Sequence, residues 1–244
     1  MHYRYLGRAA SIDAELSGRK VKKGEDGYPL EPISIDIKGE YEKALKTKDP
    51  ADIAKFLKKW RIRTKVSPAK IGKNIKNKRQ ELKALENLDI MSVDLDNTIK
   101  IGRQTRSLKD VIVDLFVTFS DISEQTERRD YTAASKILHV LLPKFFIMWD
   151  NCIRCAYGCK IKVKKGKIDI KDAGEKYFRF MKRVQKEGME AVESYCKERR
   201  CKRKNIAIRR IENELYQNGF YSFARLLDIY NFQKYTRGDD RLWA

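Results

Sequence analysis

The chain has 244 residues, enough for a substantial core in one large or two small domains. Its 54 Lys and Arg outnumber 34 Asp and Glu, and the resulting formal charge of +20 argues for a polyanionic partner, nucleic acid ahead of an anionic membrane surface. No run of about 18 apolar residues occurs, and the opening Met1-His2-Tyr3-Arg4-Tyr5 lacks the apolar centre of a signal peptide, so a cytoplasmic (nucleoid-associated) or other intracellular protein is expected rather than a membrane or secreted one.

Residues 1–38 read as an extended or partly disordered arm: a glycine- and lysine-rich stretch from Gly18 to Gly27, then Tyr28 to Ile37 around two prolines. Residues 39–244 read as one all-α body of two helical lobes around a cleft. Asp49-Pro50 is an N-cap with proline at the first helical position, followed by Ile53, Phe56, Leu57 and Trp60 on one stripe. Ser67-Pro68 opens the next helix in the same way, with Ile71, Ile75, Leu82 and Leu85 behind it. These basic helices cover 49–85. From Lys55 to Gln80 there are eleven basic residues and no acidic one. Lys73, Lys76 and Arg79 are its expected phosphate contacts.

Ser107 to Ile122 is the clearest helix, because Leu108, Val111, Ile112, Leu115, Phe116 and Phe119 keep helical spacing throughout. It opens the core region, 107–158. Next, Tyr131 to Leu141 carries Ala134, Ile137, Leu138 and Leu141 on one stripe, so Lys136 and His139 are expected to point away from it, toward solvent or a cleft. Pro143 ends that helix, Phe145 to Trp149 form a short apolar run, and Asp150 stands at the N-cap of a further helix. An amine and a carboxylate at the ends of one buried corner are parts for covalent chemistry at an electrophilic carbon.

Cys152, Cys155 and Cys159 read C-x2-C-x3-C, which on a helix puts three sulfurs on one face. Buried thiols are favoured over a zinc or iron–sulfur site with Cys196 or Cys201 as fourth ligand, or over a disulfide involving either. No metal and no cofactor are expected. Lys160 to Ile170 alternates around Gly166 and is the one small β-hairpin expected, near 160–170. Helices over about 171–198, 203–217 and 221–235 complete the chain, and residues 197–210 add eight basic residues against Glu198 alone.

The corner Ala133-Ala134-Ser135-Lys136 through Trp149-Asp150-Asn151-Cys152-Ile153-Arg154 resembles the heart of the helix-hairpin-helix DNA glycosylase superfamily. There a lysine near the start of one helix is followed, across an apolar loop, by an aspartate that opens the next. The resemblance implies that Lys136 attacks the sugar carbon of a damaged nucleoside to form a Schiff base, and that Asp150 stabilises the positive charge developing on the sugar. Double-stranded DNA with damaged bases is the implied partner, the target base is flipped out, and a monomer suffices. Arg128, Arg129 and Arg154 are assigned to phosphates, Trp149 and Tyr157 to stacking on the flipped base, and His139 to assisting proton transfer. The competing expectation is a non-catalytic basic protein binding DNA or RNA, in which Lys136 only touches phosphate. A third is a metal protein centred on the cysteine run. No nucleotide-binding glycine loop, H-E-x-x-H or serine elbow supports another enzyme class.

Overall fold

The computed structural model describes residues 2, 4–6, 35–60, 62, 64–125, 129–161, 163–164, 167–215 and 222–238. Helix starts follow the caps written in the sequence. Asp49 accepts from the N–H groups of Ala51 and Asp52 and opens α2 (Pro50–Lys59), while Ser67 accepts from Lys70 and opens α3 (Pro68–Asn77). Ser107 likewise opens α5 (Leu108–Ser120), Asp130 opens α6 (Tyr131–Leu141) and Asp150 opens α7 (Asn151–Ala156). The chain closes with α8 (Ile170–Glu198), α9 (Lys204–Leu215), α10 (Phe223–Asn231) and a π-helical turn, Phe232–Arg237. The protein is therefore mostly helical, as expected, and the small hairpin falls at Val163–Lys164 and Lys167–Ile168.

Three elements differ from the sequence reading. Helix α1 (Ile35–Thr47) was not foreseen; it takes the last four residues of the expected arm, the rest of which lies almost wholly outside the described residues. The helix expected to run on from Pro68 breaks at Lys78, where φ −105 and ψ 19 leave the helical region, and resumes as α4 (Arg79–Leu85). A second hairpin, β1 (Thr98–Ile101) with β2 (Gln104–Ser107), pairs Thr98 with Ser107 and Ile101 with Gln104. Its turn starts at Gly102, whose φ of +59 suits a residue without a side chain.

One contiguous core runs from Leu6 to Tyr230. Its centre is aromatic: Phe116 of α5 stacks on Tyr177 of α8 with ring centroids 4.1 Å apart, and Trp149 meets both edge-on. Helix α5 packs on α6 and α8, and α6 is further covered by α1 and α2. Every residue of α6 except Thr132 is buried, so this helix has no solvent face. Among the described residues no helix is long and apolar enough to cross a membrane.

Candidate functional site

The loop between α6 and α7 is buried, and an irregular buried backbone needs partners for its peptide groups. Side chains supply them. Tyr177 donates to the carbonyl of Ile147 at 2.7 Å, Asp228 accepts from the N–H of Met148 at 2.6 Å, and Ser135 accepts from the N–H of Trp149 at 3.1 Å. His139 Nδ1 lies 2.7 Å from the Phe146 carbonyl and so carries the proton, leaving Nε2 to accept from the Tyr41 hydroxyl at 2.6 Å. Its burial, with Arg225 and Lys136 nearby, lowers its pKa to about 3, so the ring is neutral at ordinary pH. One nitrogen thus holds the loop and the other ties it to α1. This is a structural role, not the expected position facing a cleft.

The loop so fixed sets the two ends of the corner. Asp150 caps α7 with Oδ1, which accepts from Ile153 N at 2.9 Å, and Oδ2 accepts from the Thr236 hydroxyl at 2.5 Å. Lys136 is only 4% exposed and its Nζ stands 3.6 Å from the centroid of the Trp60 ring. The expectation that it points to solvent or an open cleft is thus corrected: the face opposite its own apolar stripe is covered by Trp60 at the end of α2, and its neighbour one turn on is covered by Tyr41 of α1. Among the described residues the ammonium has no hydrogen-bond acceptor. Burial lowers its pKa to about 8, against the pull of Asp150 first and Asp228 second. The carboxyl of Asp228, equally buried, is pushed up to about 8 by the same loss of water. A neutral amine is therefore accessible near neutral pH, with the Asp150 carboxylate the strongest charge acting on it.

The other expected site residues divide sharply. Trp149 is wholly buried, donating to the Tyr131 carbonyl at 3.0 Å. Tyr157 is also buried, its hydroxyl 2.8 Å from Glu187 and 2.9 Å from Asn231. Both belong to the core and neither is open to stack on a base. Arg129 caps the end of α5, its Nη1 donating to the Val117 carbonyl at 2.9 Å and to Ser120 at 3.2 Å. Arg154 is half-buried and bonded to Asn151 at 2.8 Å. Arg128 lies outside the described residues.

By contrast, Lys73, Lys76 and Arg79 are exposed and have no carboxylate partner among the described residues. Other cations of the same block face carboxylates: Lys70 meets Asp121 at 3.1 Å, Lys78 meets Asp114 at 2.8 Å, Lys65 meets Glu124 at 2.6 Å and Lys55 meets Asp52 at 3.9 Å. All eight basic residues of 197–210 are exposed, as is Lys160.

The three cysteines do not share a face. Helix α7 stops at Ala156, Gly158 turns the chain at φ +65, and Cys159 is buried while Cys152 and Cys155 are exposed. The expected burial of the run therefore holds for Cys159 alone. Among the described residues no cluster of three or more His, Cys, Asp or Glu side chains is placed to hold a metal ion.

Two participants were missed. In the sequence Trp60 is one more member of an apolar stripe, and Thr236 lies 86 positions from the carboxylate it contacts. Both meet at the π-helical turn: its Phe232 ring packs 5.8 Å from Trp60, and its Thr236 reaches Asp150. Such turns are rare and occur often at functional sites. Compared with models of known protein families, with curated proteins and with solved structures, the chain matches none of them.

Proposed function

We propose that this protein binds DNA and removes damaged bases, with Lys136 as an amine nucleophile and Asp150 as the carboxylate that stabilises the cationic sugar. The observation that carries the reading is the buried Lys136 ammonium: it has no acceptor among the described residues, its proton affinity is lowered, and Asp150 is its strongest neighbouring charge. The neutral Nζ adds to C1′ of the deoxyribose as the bond from C1′ to the base nitrogen breaks. The electron pair leaves with the base, which takes up a proton; the amine loses its own, and opening of the sugar ring leaves a Schiff base. In this reading stacking passes from Trp149 and Tyr157 to Trp60, the partly exposed aromatic ring already lying on the amine.

Borohydride reduces a Schiff base to a stable amine, so it cross-links only an enzyme of this kind to duplexes carrying abasic or oxidised sites. Wild-type protein is expected to trap, and Lys136→Gln to lose trapping while DNA affinity stays nearly unchanged, one charge among many being removed. Asp150→Asn is expected to slow base release by about a hundredfold with α7 intact, because an amide still caps a helix but does not stabilise a cation. Lyase activity retained by Lys136→Gln would move the nucleophile elsewhere.

A second reading is favoured by the cover over the amine. With Lys136 only 4% exposed, a nucleoside reaches it only if the Trp60 ring yields. A non-catalytic protein that binds DNA or RNA through its basic surfaces needs no such movement. Absence of trapping and base release across a panel of oxidised, alkylated and abasic duplexes, with binding retained, would establish it.

A further inference from the structure

Helix α8 ends in a turn whose two boundary residues are cysteines. The N–H of Cys201 donates to the carbonyl of Cys196, five residues back, at 2.9 Å, and Arg200 between them takes φ +51. A bond of this span over one left-handed residue is the Schellman arrangement, in which the side chains at the two ends of the bond meet. The meeting is usually apolar; here it is thiol to thiol. Burial first, and the neighbouring Cys201 thiol second, raise the pKa of the Cys196 thiol, and the Cys201 sulfur lies 3.5 Å from the Arg203 carbonyl. Both cysteines are free and half-exposed. Cys152 and Cys155 make no such contact among the described residues, and Cys159 is buried against the Tyr157 carbonyl.

We infer that Cys196 and Cys201 are a site of reversible oxidation, closing to an intramolecular disulfide by exchange with a glutathione-type disulfide. The thiolate of one cysteine attacks the small disulfide, forming a mixed disulfide and releasing one thiolate. The second cysteine then attacks the protein-bound sulfur and releases the other. Two protons pass from the cysteines to the two released thiolates, so dithiol and small disulfide become protein disulfide and two small thiols. The ring formed spans six residues and fixes Arg199 and Arg200 at the head of the basic segment 197–210. Nothing in this inference depends on the reading of Lys136.

The test equilibrates the full chain with mixtures of reduced and oxidised glutathione, blocks free thiols with iodoacetamide, and maps the modified peptides by mass. The wild type is expected to fall from five blocked cysteines to three. Because Lys197, Arg199 and Arg200 lie between the two cysteines, trypsin should release two peptides joined by a reducible link. Half-closure should need about tenfold less oxidised glutathione than half-modification of Cys152, since the second thiol acts intramolecularly. Cys201→Ser should keep four blocked cysteines in the mixture that closes the wild type. Five blocked cysteines in excess oxidised glutathione, stable glutathione adducts at 196 or 201, a link through Cys152 or Cys155, or covalent dimers would each overturn the proposal. Peptide mapping of the wild type alone decides it, so the outcome does not rest on the variant folding.

Discussion

Lys136 is a residue at which folding and chemistry oppose one another. An ammonium withdrawn from water onto an aromatic face, with no acceptor among the described residues, is destabilising, and burial accordingly lowers its pKa from the ordinary 10.5 to about 8. Between those two values the unfolded chain holds a proton that the folded chain has released, so this group makes stability rise with pH across that window. Below about pH 8 both states are protonated and the full cost, about 3 kcal/mol from a shift of that size, stands. Lys136→Met keeps the volume and removes the charge. It should raise stability at pH 7 by roughly 1–3 kcal/mol, with the margin closing between pH 8 and 10.5. Paired urea titrations at pH 7 and pH 10 check this. A methionine variant less stable than wild type at pH 7 would mean that Asp150 and Asp228 hold the ammonium more strongly than burial opposes it. A stabilising change that abolishes trapping is the pattern expected where a site is kept at the expense of the fold.

Among the elements, the crossing of α5 and α8 is where a single atom is felt. A Cβ placed on Gly174 would stand 2.8 Å from Val113 Cγ1, 3.2 Å from the Val113 carbonyl and 3.2 Å from Val117 Cγ2. Alanine gains about 1 kcal/mol of helix propensity over glycine, but the obstacle is backbone and two stiff β-branched side chains, and overpacking typically costs about 1–3 kcal/mol. Gly174→Ala is therefore expected to destabilise by about 1 kcal/mol net. Gly188 on the same helix meets chiefly the flexible end of Met91 at 3.0 Å, so Gly188→Ala should cost less. Thermal unfolding of the two variants side by side tests the contrast, and equal stability would refute it. The same scale explains what the sequence disclosed. The caps Asp49, Ser67, Ser107 and Asp150 were legible because a cap is chemistry between residues two or three apart, and α5 was legible because its apolar spacing never fails. Hairpin β1–β2 had its signal, Ile99 and Ile101 alternating before Gly102, but over only four residues. The corner was legible as a juxtaposition of Lys136 and Asp150. Its burial was not: a helical wheel shows which side of α6 lacks apolar residues, and Trp60, Tyr41 and Asp228, which cover that side, come from distant elements.

For the whole molecule the dominant quantity is charge, and the structure separates the cations that are already neutralised from those that are not. Asp114, Asp121 and Glu124 pair with Lys78, Lys70 and Lys65, leaving Lys73, Lys76 and Arg79 exposed on α3 and α4. Around the junction of α8 and α9, Lys204 is paired with Glu193 at 2.7 Å, while Lys197, Lys202, Arg203, Arg209 and Arg210 add a second exposed series. Neutralising phosphates releases condensed counterions, so duplex affinity should fall linearly on a log–log plot against salt. About six contacts would remove about three decades between roughly 50 and 200 mM. Reversing Lys73, Lys76 and Arg79 to glutamate together should flatten that slope by about three phosphates' worth and weaken all duplex sequences alike, because contacts to the backbone carry no base information. The equivalent reversal of Arg203, Arg209 and Arg210 serves as comparison. If only the second set changes the slope, the duplex lies along α8 and α9 and not across α3 and α4. If affinity is insensitive to salt, or absent at low salt, the positive surface serves something other than nucleic acid, and the proposal for Lys136 loses its substrate.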